Sequence, residues 1–227
     1  MKVIIFGATG MVGQGVLREC LLDPDVGCVL VIGRRATGQQ HGKLREVVLE
    51  DLFAVPTLGS ELDGYDACFF CLGVSAVGMT EAEYRRVTYD LTMVVARSLV
   101  ERNPGMTFIY VSGTGTDSSE RGRAMWARVK GATENALRLL PFKATYMFRP
   151  GYIQPLHGIT SKTSWYRGLY ALVGPLYPLL KATLPAHVTT TEQVGRAMIE
   201  VAKHGAPEPF LENRDIGLIG ARVAAGR

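Results

Sequence analysis

The chain begins with a hydrophobic segment that leads directly into a closely spaced set of glycines. Residues 2–6 read Lys-Val-Ile-Ile-Phe, a β-branched and aromatic run that is typical of a buried strand. The next seven residues read Gly-Ala-Thr-Gly-Met-Val-Gly and are followed by a helical pattern. A strand, a glycine turn and a helix N-terminus in this order direct unpaired N–H groups and the positive end of the helix dipole toward an anion. The segment therefore predicts a cradle for the pyrophosphate of a dinucleotide; the alternative is a glycine turn that only packs.

Each glycine of this turn has its own predicted role in holding a dinucleotide. Gly7 allows the tight turn, Gly10 lets the backbone approach a pyrophosphate, and Gly13 lets the helix pack closely on the strand. The predicted backbone donors to the phosphate oxygens are Thr9, Met11 and Val12.

Size and charge narrow the classes of function. The chain has 227 residues, 47% of them hydrophobic, which suits one domain with a large core. Its net charge is +4, and its basic residues are scattered, which argues against a nucleic-acid partner. Residues 165–184 are largely apolar, but two prolines and two basic residues interrupt them. We therefore expect one or two buried helices there rather than a membrane span.

The cysteines predict neither a metal site nor redox chemistry. Cys68 and Cys71 have a CxxC spacing, but positions three apart in a strand point to opposite faces, so the two thiols should diverge. No second CxxC is present, and the other two cysteines lie in apparent helix or strand contexts. Since the first strand begins at residue 2, we expect no signal peptide and a reducing cytoplasm as the compartment.

Strand and helix patterns alternate along most of the chain. After residues 2–6, strands are predicted at 28–32, 45–49, 67–72, 107–111 and 144–148, and later helices at 80–100, 124–140 and 191–204. Thr80 and Glu83 have the spacing of a capping box. The alternation predicts an α/β fold with a doubly wound parallel sheet, in which ligands bind at the carboxyl ends of the strands. We expect residues 1–150 to form a dinucleotide-binding core and residues 151–227 a small cap continuous with it.

The end of the second strand bears on the choice between NAD and NADP. An NAD site places an acid there for the ribose hydroxyls, whereas this chain has Arg34 and Arg35 after Gly33. Guanidinium groups suit a 2′-phosphate, so NADP is favoured over NAD; the alternative is that both arginines are ordinary solvated residues. Asp51 and Leu52 follow the third strand, where they would meet the adenine, unless Asp51 is an ordinary exposed acid.

Several further stretches extend the glycine turn into a family resemblance. They read Gly33-Arg34, Cys71-Leu72-Gly73, Tyr110-Val111-Ser112, Lys130-Gly131 and Phe148-Arg149-Pro150-Gly151. Together they resemble the atypical or extended short-chain dehydrogenase/reductase superfamily, and most of all its Tat-interactive-protein and epimerase-dehydratase-like branch. The resemblance covers nearly the whole chain. It implies a Rossmann fold, and it places Leu72, Gly73, Pro150 and Gly151 beside the dinucleotide. It also implies a homodimer formed through residues 80–100 and 124–140.

The chain departs from the superfamily at the position of the catalytic tyrosine, which donates or accepts the proton in the superfamily's reaction. Its reaction uses Ser or Thr with Tyr-x-x-x-Lys, in which the lysine lowers the tyrosine's pKa and holds the ribose. Lys130 matches that lysine, but the residue four before it is Trp126, whose indole cannot shuttle a proton near neutral pH. Ser112 or Thr114 matches the hydroxyl that orients a carbonyl, and the pattern does not choose between them. The predicted catalytic residues are therefore Ser112, Thr114 and Lys130.

Three functions compete on this evidence. The first is an oxidoreductase acting on an unknown small molecule, with hydride transfer that needs mostly positioning and with solvent as the proton source. The second is a non-catalytic NADPH-sensing protein whose cofactor orders residues 73–80 and 113–123 for a partner. The third, an epimerase or dehydratase of nucleotide sugars, is disfavoured because the chain is short and lacks the tyrosine base. Tyr152 or His157 could face the substrate, although an ordinary structural or surface role is the alternative for each.

Overall fold

A parallel sheet organises the chain in the computed structural model, which describes residues 1–159 and 185–225. Among these residues, seven strands form one sheet in the order β3-β2-β1-β4-β5-β6-β9, with every neighbouring pair parallel. Its strands are β1 Lys2–Phe6, β2 Cys28–Gly33, β3 Leu44–Val48, β4 Ala67–Phe70, β5 Thr107–Val111, β6 Ala144–Arg149 and β9 Phe210–Glu212. A separate parallel pair consists of β7 Tyr152–Gln154 and β8 Val188–Thr190. The predicted α/β fold with a parallel sheet is confirmed.

Helices cover both faces of this sheet. They are α1 Met11–Leu22, α2 Glu81–Arg85, α3 Leu91–Arg102, α4 Met125–Arg138, α5 Thr191–His204 and α6 Asn213–Ala225. A long 3₁₀-helical segment, kinked at Gly59, spans Leu52–Leu62, and a shorter 3₁₀ helix spans Pro185–His187. A π-helical turn at Arg86–Asp90 joins α2 to α3. The predicted capping box is present: Thr80 Oγ accepts from the Glu83 N–H, and the Glu83 carboxylate accepts from the Thr80 N–H at 2.8 Å.

The predicted elements match the structure except at their ends. Strand β4 stops at Phe70, two residues before the predicted end. Phe70 pairs with Phe6, the last residue of β1, and beyond it the chain of β1 turns away at Gly7. Leu72 therefore has no neighbouring β1 strand with which to continue the ladder.

Two hydrophobic clusters, one on each face, hold the sheet in place. Because side chains alternate along a strand, Val3 and Ile5 join the cluster under α1 and α5, whereas Ile4 and Phe6 join the cluster under α3 and the long 3₁₀ helix. All four side chains are fully buried. Because both faces of the sheet are buried, polar side chains can reach solvent at the ends of the strands.

The region after residue 150 both extends the sheet and covers it. Strand β9 pairs with β6 and adds an edge strand, and α5 packs on α1. The two helices can approach closely because Gly15 has no side chain. A Cβ there would lie only 2.6 Å from the Thr191 Cβ. The predicted helices within residues 165–184 lie outside the described residues. Among the helices that the structure describes, none is long and apolar enough to span a bilayer.

The direction of strand order reverses between β1 and β4. From β1, the chain builds outward through β2 and β3 on one side and through β4, β5 and β6 on the other. In sheets of this kind, ligands bind at the carboxyl ends of the strands next to this reversal. The glycine turn after β1 lies at this point.

Candidate functional site

The glycine turn is packed so tightly that two of its positions exclude a side chain. Gly7 has φ of 81°, and a Cβ there would lie 2.7 Å from backbone atoms of Cys71 and Leu72. A Cβ on Gly13 would lie 2.1 Å from the Gly7 carbonyl oxygen. Gly10 is less crowded, since its Cβ would lie 3.3 Å from that oxygen. The first turn of α1 is therefore held directly against the loop that leaves β1.

The N-terminus of α1 is open. The Gly10 N–H donates to the Gly7 carbonyl at 2.9 Å and closes the turn. Gly10 is the N-cap and has no side chain to cap the helix, and the first turn contains no acid. The N–H groups of Met11, Val12 and Gly13 thus have no intrahelical acceptor, as at any helix start. They leave a positive end that suits an anion.

A cleft of about 500 Å³ lies beside this turn. Six predicted cofactor residues line it: Gly7, Thr9, Arg34, Arg35, Leu52 and Leu72. Four further residues line it that are not among the predicted cofactor residues: Ala8, Val31, Gly33 and Glu50. The cleft therefore joins the phosphate cradle to the carboxyl ends of β2 and β3.

Two guanidinium groups and one carboxylate meet in this cleft. Arg34, Arg35 and Glu50 are all exposed, and none of them forms an ion pair with another described residue. The Leu49 N–H donates to the Gly33 carbonyl at 3.0 Å, which brings Glu50 alongside Arg34. Glu50 was missed because an acid was sought only at the end of β2, whereas this one follows β3.

Asp51 has a local structural role next to the cleft. Its Oδ1 accepts from the Phe53 N–H at 3.0 Å and caps the 3₁₀ helix, and the side chain does not line the cleft. Leu52, its neighbour, does line the cleft and is buried. The structure thus brings Leu52, and not the Asp51 carboxylate, to the expected place of the adenine.

The two candidate hydroxyls after β5 have different surroundings. Ser112 is 3% exposed, and its Oγ lies 2.6 Å from Glu134 Oε1, to which it donates. Thr114 is exposed, and its Oγ1 donates to the Arg149 carbonyl at 3.0 Å. Only the Thr114 side chain is therefore accessible to a ligand from solvent.

Lys130 reaches the end of β5 from helix α4. Its Nζ donates to the Ser112 carbonyl oxygen. The Nζ would lie 4.0 Å from a Cβ placed on Gly113, in the loop that follows β5. Burial lowers the pKa of Lys130 from 10.5 to about 8, and the negative charge of Glu134 opposes part of that change. Lys130 thus places at the end of β5 an ammonium whose lowered pKa lets it lose its proton more readily than usual.

A buried carboxylate, Glu134, organises the side chains behind Lys130. Glu134 is fully buried and forms an ion pair with Arg149, whose Nε lies 3.0 Å from Oε1. Arg149 also donates to Ser118 Oγ at 2.6 Å and to Glu212 at 3.2 Å. Sequence reasoning missed Glu134, although its position one helical turn after Lys130 places both on one helix face.

Trp126 presents its ring to solvent at the start of α4. The residue is 36% exposed, and its Cη2 would lie 3.3 Å from a Cβ placed on Gly115. Arg128, on the same helical turn, donates to Glu81 at 2.6 Å and ties the start of α4 to α2. Trp126 is thus a surface-facing residue one turn before Lys130, rather than a core tryptophan.

Three predicted cofactor residues after β4 and β6, Gly73, Pro150 and Gly151, do not line the cleft. Gly73 is exposed beyond it. Pro150 is buried, and its carbonyl accepts from the Thr114 N–H at 3.0 Å. The Gly151 N–H donates to Asn213 Oδ1 at 2.8 Å, so its backbone donor is used within the fold.

Two weaker candidates are engaged in local contacts. The half-buried Tyr152 donates its hydroxyl to Gln154 Oε1 at 2.9 Å. His157 pairs with Glu192 on α5. Neither side chain lines the cleft beside the glycine turn.

Burial disfavours the thiolate form of three of the four cysteines, Cys20, Cys68 and Cys71. Cys68 packs in the cluster under α3 while Cys71 packs against the opposite cluster, which agrees with the predicted divergence of the CxxC thiols. Burial raises the pKa of Cys71 to about 12 and raises the pKa values of Cys20 and Cys68 as well. Across residues 1–159 and 185–225, no group of His, Cys, Asp and Glu side chains is arranged to hold a metal ion.

Comparison with known proteins gives distant relatives. No protein-family model matches the chain. It is 31% identical over 158 residues to the protein fmp52-1, mitochondrial, of Aspergillus terreus, and 29% identical over 159 residues to the protein fmp52, mitochondrial, of Emericella nidulans. Each alignment covers 67% of this chain and 66% of the relative, just under two thirds of the relative's length. Because these relatives are described as mitochondrial, the prediction of a cytoplasmic location is wrong.

Solved structures with the same architecture are numerous. A short-chain dehydrogenase/reductase family oxidoreductase from Burkholderia thailandensis has a TM-score of 0.65 at 14% identity, over 100% of this chain and 97% of its own. The Bordetella bronchiseptica enzyme WbmF, solved in complex with NAD⁺, has a TM-score of 0.65 at 15% identity, over 100% and 79%. A UDP-N-acetylglucosamine 4-epimerase from Methanobrevibacter ruminantium has a TM-score of 0.66 at 13% identity, over 92% and 74%.

At these identities the structural likeness establishes the fold. This chain has the Rossmann fold that short-chain dehydrogenase/reductase and epimerase enzymes share, which confirms the fold that the resemblance implies. The likeness does not single out the Tat-interactive-protein branch.

Proposed function

We propose that this chain is an NADP(H)-dependent oxidoreductase of the short-chain dehydrogenase type that works without the usual tyrosine. The observation that carries the proposal is the cleft that joins the glycine turn, which leads into the open N-terminus of α1, to two arginines without ion-pair partners among the described residues. A diphosphate suits the helix end, and a further phosphate suits the guanidinium groups.

The residues present fit a dinucleotide on structural grounds. The absence of side chains at Gly7 and Gly13 lets the start of α1 pack directly against the loop that leaves β1, and the open N–H groups of that helix end supply donors to a pyrophosphate. Arg34 supplies the preference for a 2′-phosphate, with Arg35 beside it. Glu50 would accept from ribose hydroxyls, so the preference for NADP over NAD depends on Arg34 outweighing Glu50. When bound, the nicotinamide supplies the hydride.

The chain's own groups at the reacting end hold and orient a ligand. Thr114 offers an exposed hydroxyl that can bind a carbonyl oxygen if it turns its proton from the Arg149 carbonyl to the ligand, whereas the Ser112 hydroxyl is buried against Glu134. Lys130 places an ammonium at the end of β5, where it would also bind the nicotinamide ribose. The exposed ring of Trp126 offers an apolar wall for a planar acceptor.

Trp126 in place of the tyrosine favours a second candidate, a non-catalytic NADPH sensor. In that case the bound dinucleotide would order residues 73–80 and 113–123 and so change the surface offered to a protein partner. A homodimer through residues 80–100 and 124–140 is compatible with both candidates.

The experiment that separates the candidates is a turnover panel. The purified protein is incubated with NADPH and a flavin, a quinone or an activated carbonyl, and NADPH oxidation is followed. Oxidation with one acceptor class supports the reductase. Tight NADPH binding without oxidation of NADPH by any acceptor class would replace the reductase with the sensor.

Restoring the missing phenol provides a gain-of-function prediction. Trp126→Tyr places a tyrosine four residues before Lys130 on an exposed helix face. We expect carbonyl reduction to rise by about tenfold or more, because a positioned general acid typically contributes at least that much. Trp126→Phe is the matched control, since it removes the indole without adding an acid and should give no gain. Equal effects of the two substitutions would contradict the assigned position of Trp126.

A further inference from the structure

Reduction of a carbonyl needs a proton, and the described residues near Lys130 offer few sources. The Trp126 indole cannot release a proton near neutral pH. The Ser112 hydroxyl is buried and donates to Glu134. Tyr110 is 1% exposed, and burial raises its pKa well above the usual range. Thr114 can orient an oxygen, but its hydroxyl is too weak an acid to supply the proton itself.

Tyr152 donates its hydroxyl to Gln154, and His157 pairs with Glu192. Lys130 is the candidate left among these side chains, and its surroundings hold it in a defined position. The Nζ donates to the carbonyl oxygen of Ser112, whose Oγ donates in turn to Glu134. Glu134 is fixed from the other side by Arg149. Ser112, which follows β5, therefore links the Lys130 ammonium to the buried Glu134 carboxylate, one helical turn further along α4.

We propose that Lys130 Nζ is the proton donor of this enzyme and that Glu134, acting through Ser112, is its positioning residue. The proposal rests on the proposed reductase function and replaces solvent as the proton source. The substrate class is a carbonyl compound, whose carbon receives the hydride from the reduced dinucleotide. An N–H bond of the Lys130 ammonium breaks, its electron pair stays on nitrogen, and an O–H bond forms on the substrate oxygen. Water then returns a proton to the neutral amine.

The ionisation of Lys130 supports this role. Its pKa of about 8 lies close to neutral, where a general acid combines a high protonated fraction with ready release of the proton. An ordinary exposed lysine, with a pKa near 10.4, would release its proton much less readily.

Three acids on the elements around Lys130 have other partners. Glu134 lies on the same helix, and Arg149 lies at the end of β6 in an ion pair with it. Asp117, in the loop after β5, accepts from Ser119 and Gly122. Glu81, at the start of α2, is paired with Arg128. Of these acids, Glu134 is the one whose charge acts on Lys130.

The first test reads the proton on Lys130 without turnover. The rate of amine acetylation at Lys130 is measured by mass spectrometry across a pH series in the wild-type protein and in Glu134→Gln. The wild type should show a midpoint near pH 8. Loss of the carboxylate removes a charge that favours the ammonium, so the midpoint in Glu134→Gln should fall by about one unit. Glu134→Asp keeps the carboxylate, so its midpoint should lie close to that of the wild type. A wild-type midpoint near pH 10, or no shift in Glu134→Gln, would overturn the proposal.

The second test uses Lys130→Arg, which keeps a positive charge but cannot release a proton at accessible pH. We expect carbonyl reduction to fall by about 100-fold while NADPH affinity stays close to that of the wild type. In the wild type, kcat should decline as pH rises through about 8, because the donor must be protonated. That decline should move to lower pH in Glu134→Gln. If Glu134→Gln fails to fold, wild type and Lys130→Arg still decide the question.

Failure of this inference differs from failure of the proposed function. Carbonyl reduction that persists in Lys130→Arg with an unchanged pH profile would make solvent the donor and leave the reductase standing. If the wild-type protein does not oxidise NADPH with any of the acceptors tested, both the proposed function and this inference are overturned.

Discussion

Gly13→Ala is expected to abolish dinucleotide binding and to destabilise the chain. The new Cβ would lie 2.1 Å from the Gly7 carbonyl oxygen and 2.8 Å from the Ala8 Cα, so the start of α1 must move away from the turn. Backbone atoms cannot rotate away as a side chain can, and we expect a loss of about 3 kcal/mol in the free energy of unfolding, at the upper end for overpacking. The displaced N–H groups would no longer point together toward the phosphates of the dinucleotide. NADPH affinity should therefore fall by about 100-fold or more. Denaturant unfolding and a binding titration measure the two effects.

Gly217→Ala is the matched control. Gly217 is also a helical glycine, in α6, but a Cβ there meets nothing within 4 Å. Alanine favours a helix over glycine by about 1 kcal/mol, so this variant should be as stable as the wild type or more so, with unchanged NADPH affinity. Gly13→Ala with normal NADPH affinity would contradict the assignment of the glycine turn as the phosphate cradle.

Arg34→Ala is expected to weaken NADPH much more than NADH. Arg34 lines the cleft and makes no ion pair with a described residue, so its guanidinium is free for a 2′-phosphate. A hydrogen bond to a charged group contributes about 1.5–3 kcal/mol, and a bidentate contact lies at the top of that range. NADPH affinity should therefore drop by about 100-fold, while NADH, which has no 2′-phosphate, should change little. Calorimetric titration with both dinucleotides measures the difference.

Arg45→Ala serves as the control for net charge. Arg45 is exposed on β3 and does not line the cleft, so its loss should reduce the affinities for NADPH and NADH slightly and equally. Glu50→Gln tests the opposing group, and it should weaken NADH while sparing or improving NADPH. Equal losses of the two dinucleotides in Arg34→Ala would exclude Arg34 as the 2′-phosphate ligand.

The glycine turn and the main elements could be predicted because their signals are local. The run before Gly7 forms β1 over the predicted residues, and Thr80 and Glu83 form the predicted capping box. Helix α5 spans the predicted residues because Thr190 caps its start and Gly205 ends it. Each of these features depends on residues within a few positions of one another.

The second half of the site could not be predicted because it depends on tertiary contacts. The choice between Ser112 and Thr114 depends on Glu134, which is 22 residues away from Ser112 and turns its hydroxyl inward. Glu50 comes beside Arg34 only because β3 pairs with β2. Strand β9, which pairs with β6, is too short to give a periodic signal. The predicted compartment was wrong because a strand at residue 2 does not distinguish the cytoplasm from other compartments, and free cysteines fit any reducing compartment.

The most direct test of the account is a calorimetric titration of the wild-type protein with NADPH, with NADP, NADH and NAD measured under the same conditions. Binding of one NADPH per chain, tighter than NADH, is the expected result. No heat of binding and no competition from any of the four dinucleotides would contradict the central claim, because the cradle at Gly7, Gly10 and Gly13 would then hold no cofactor.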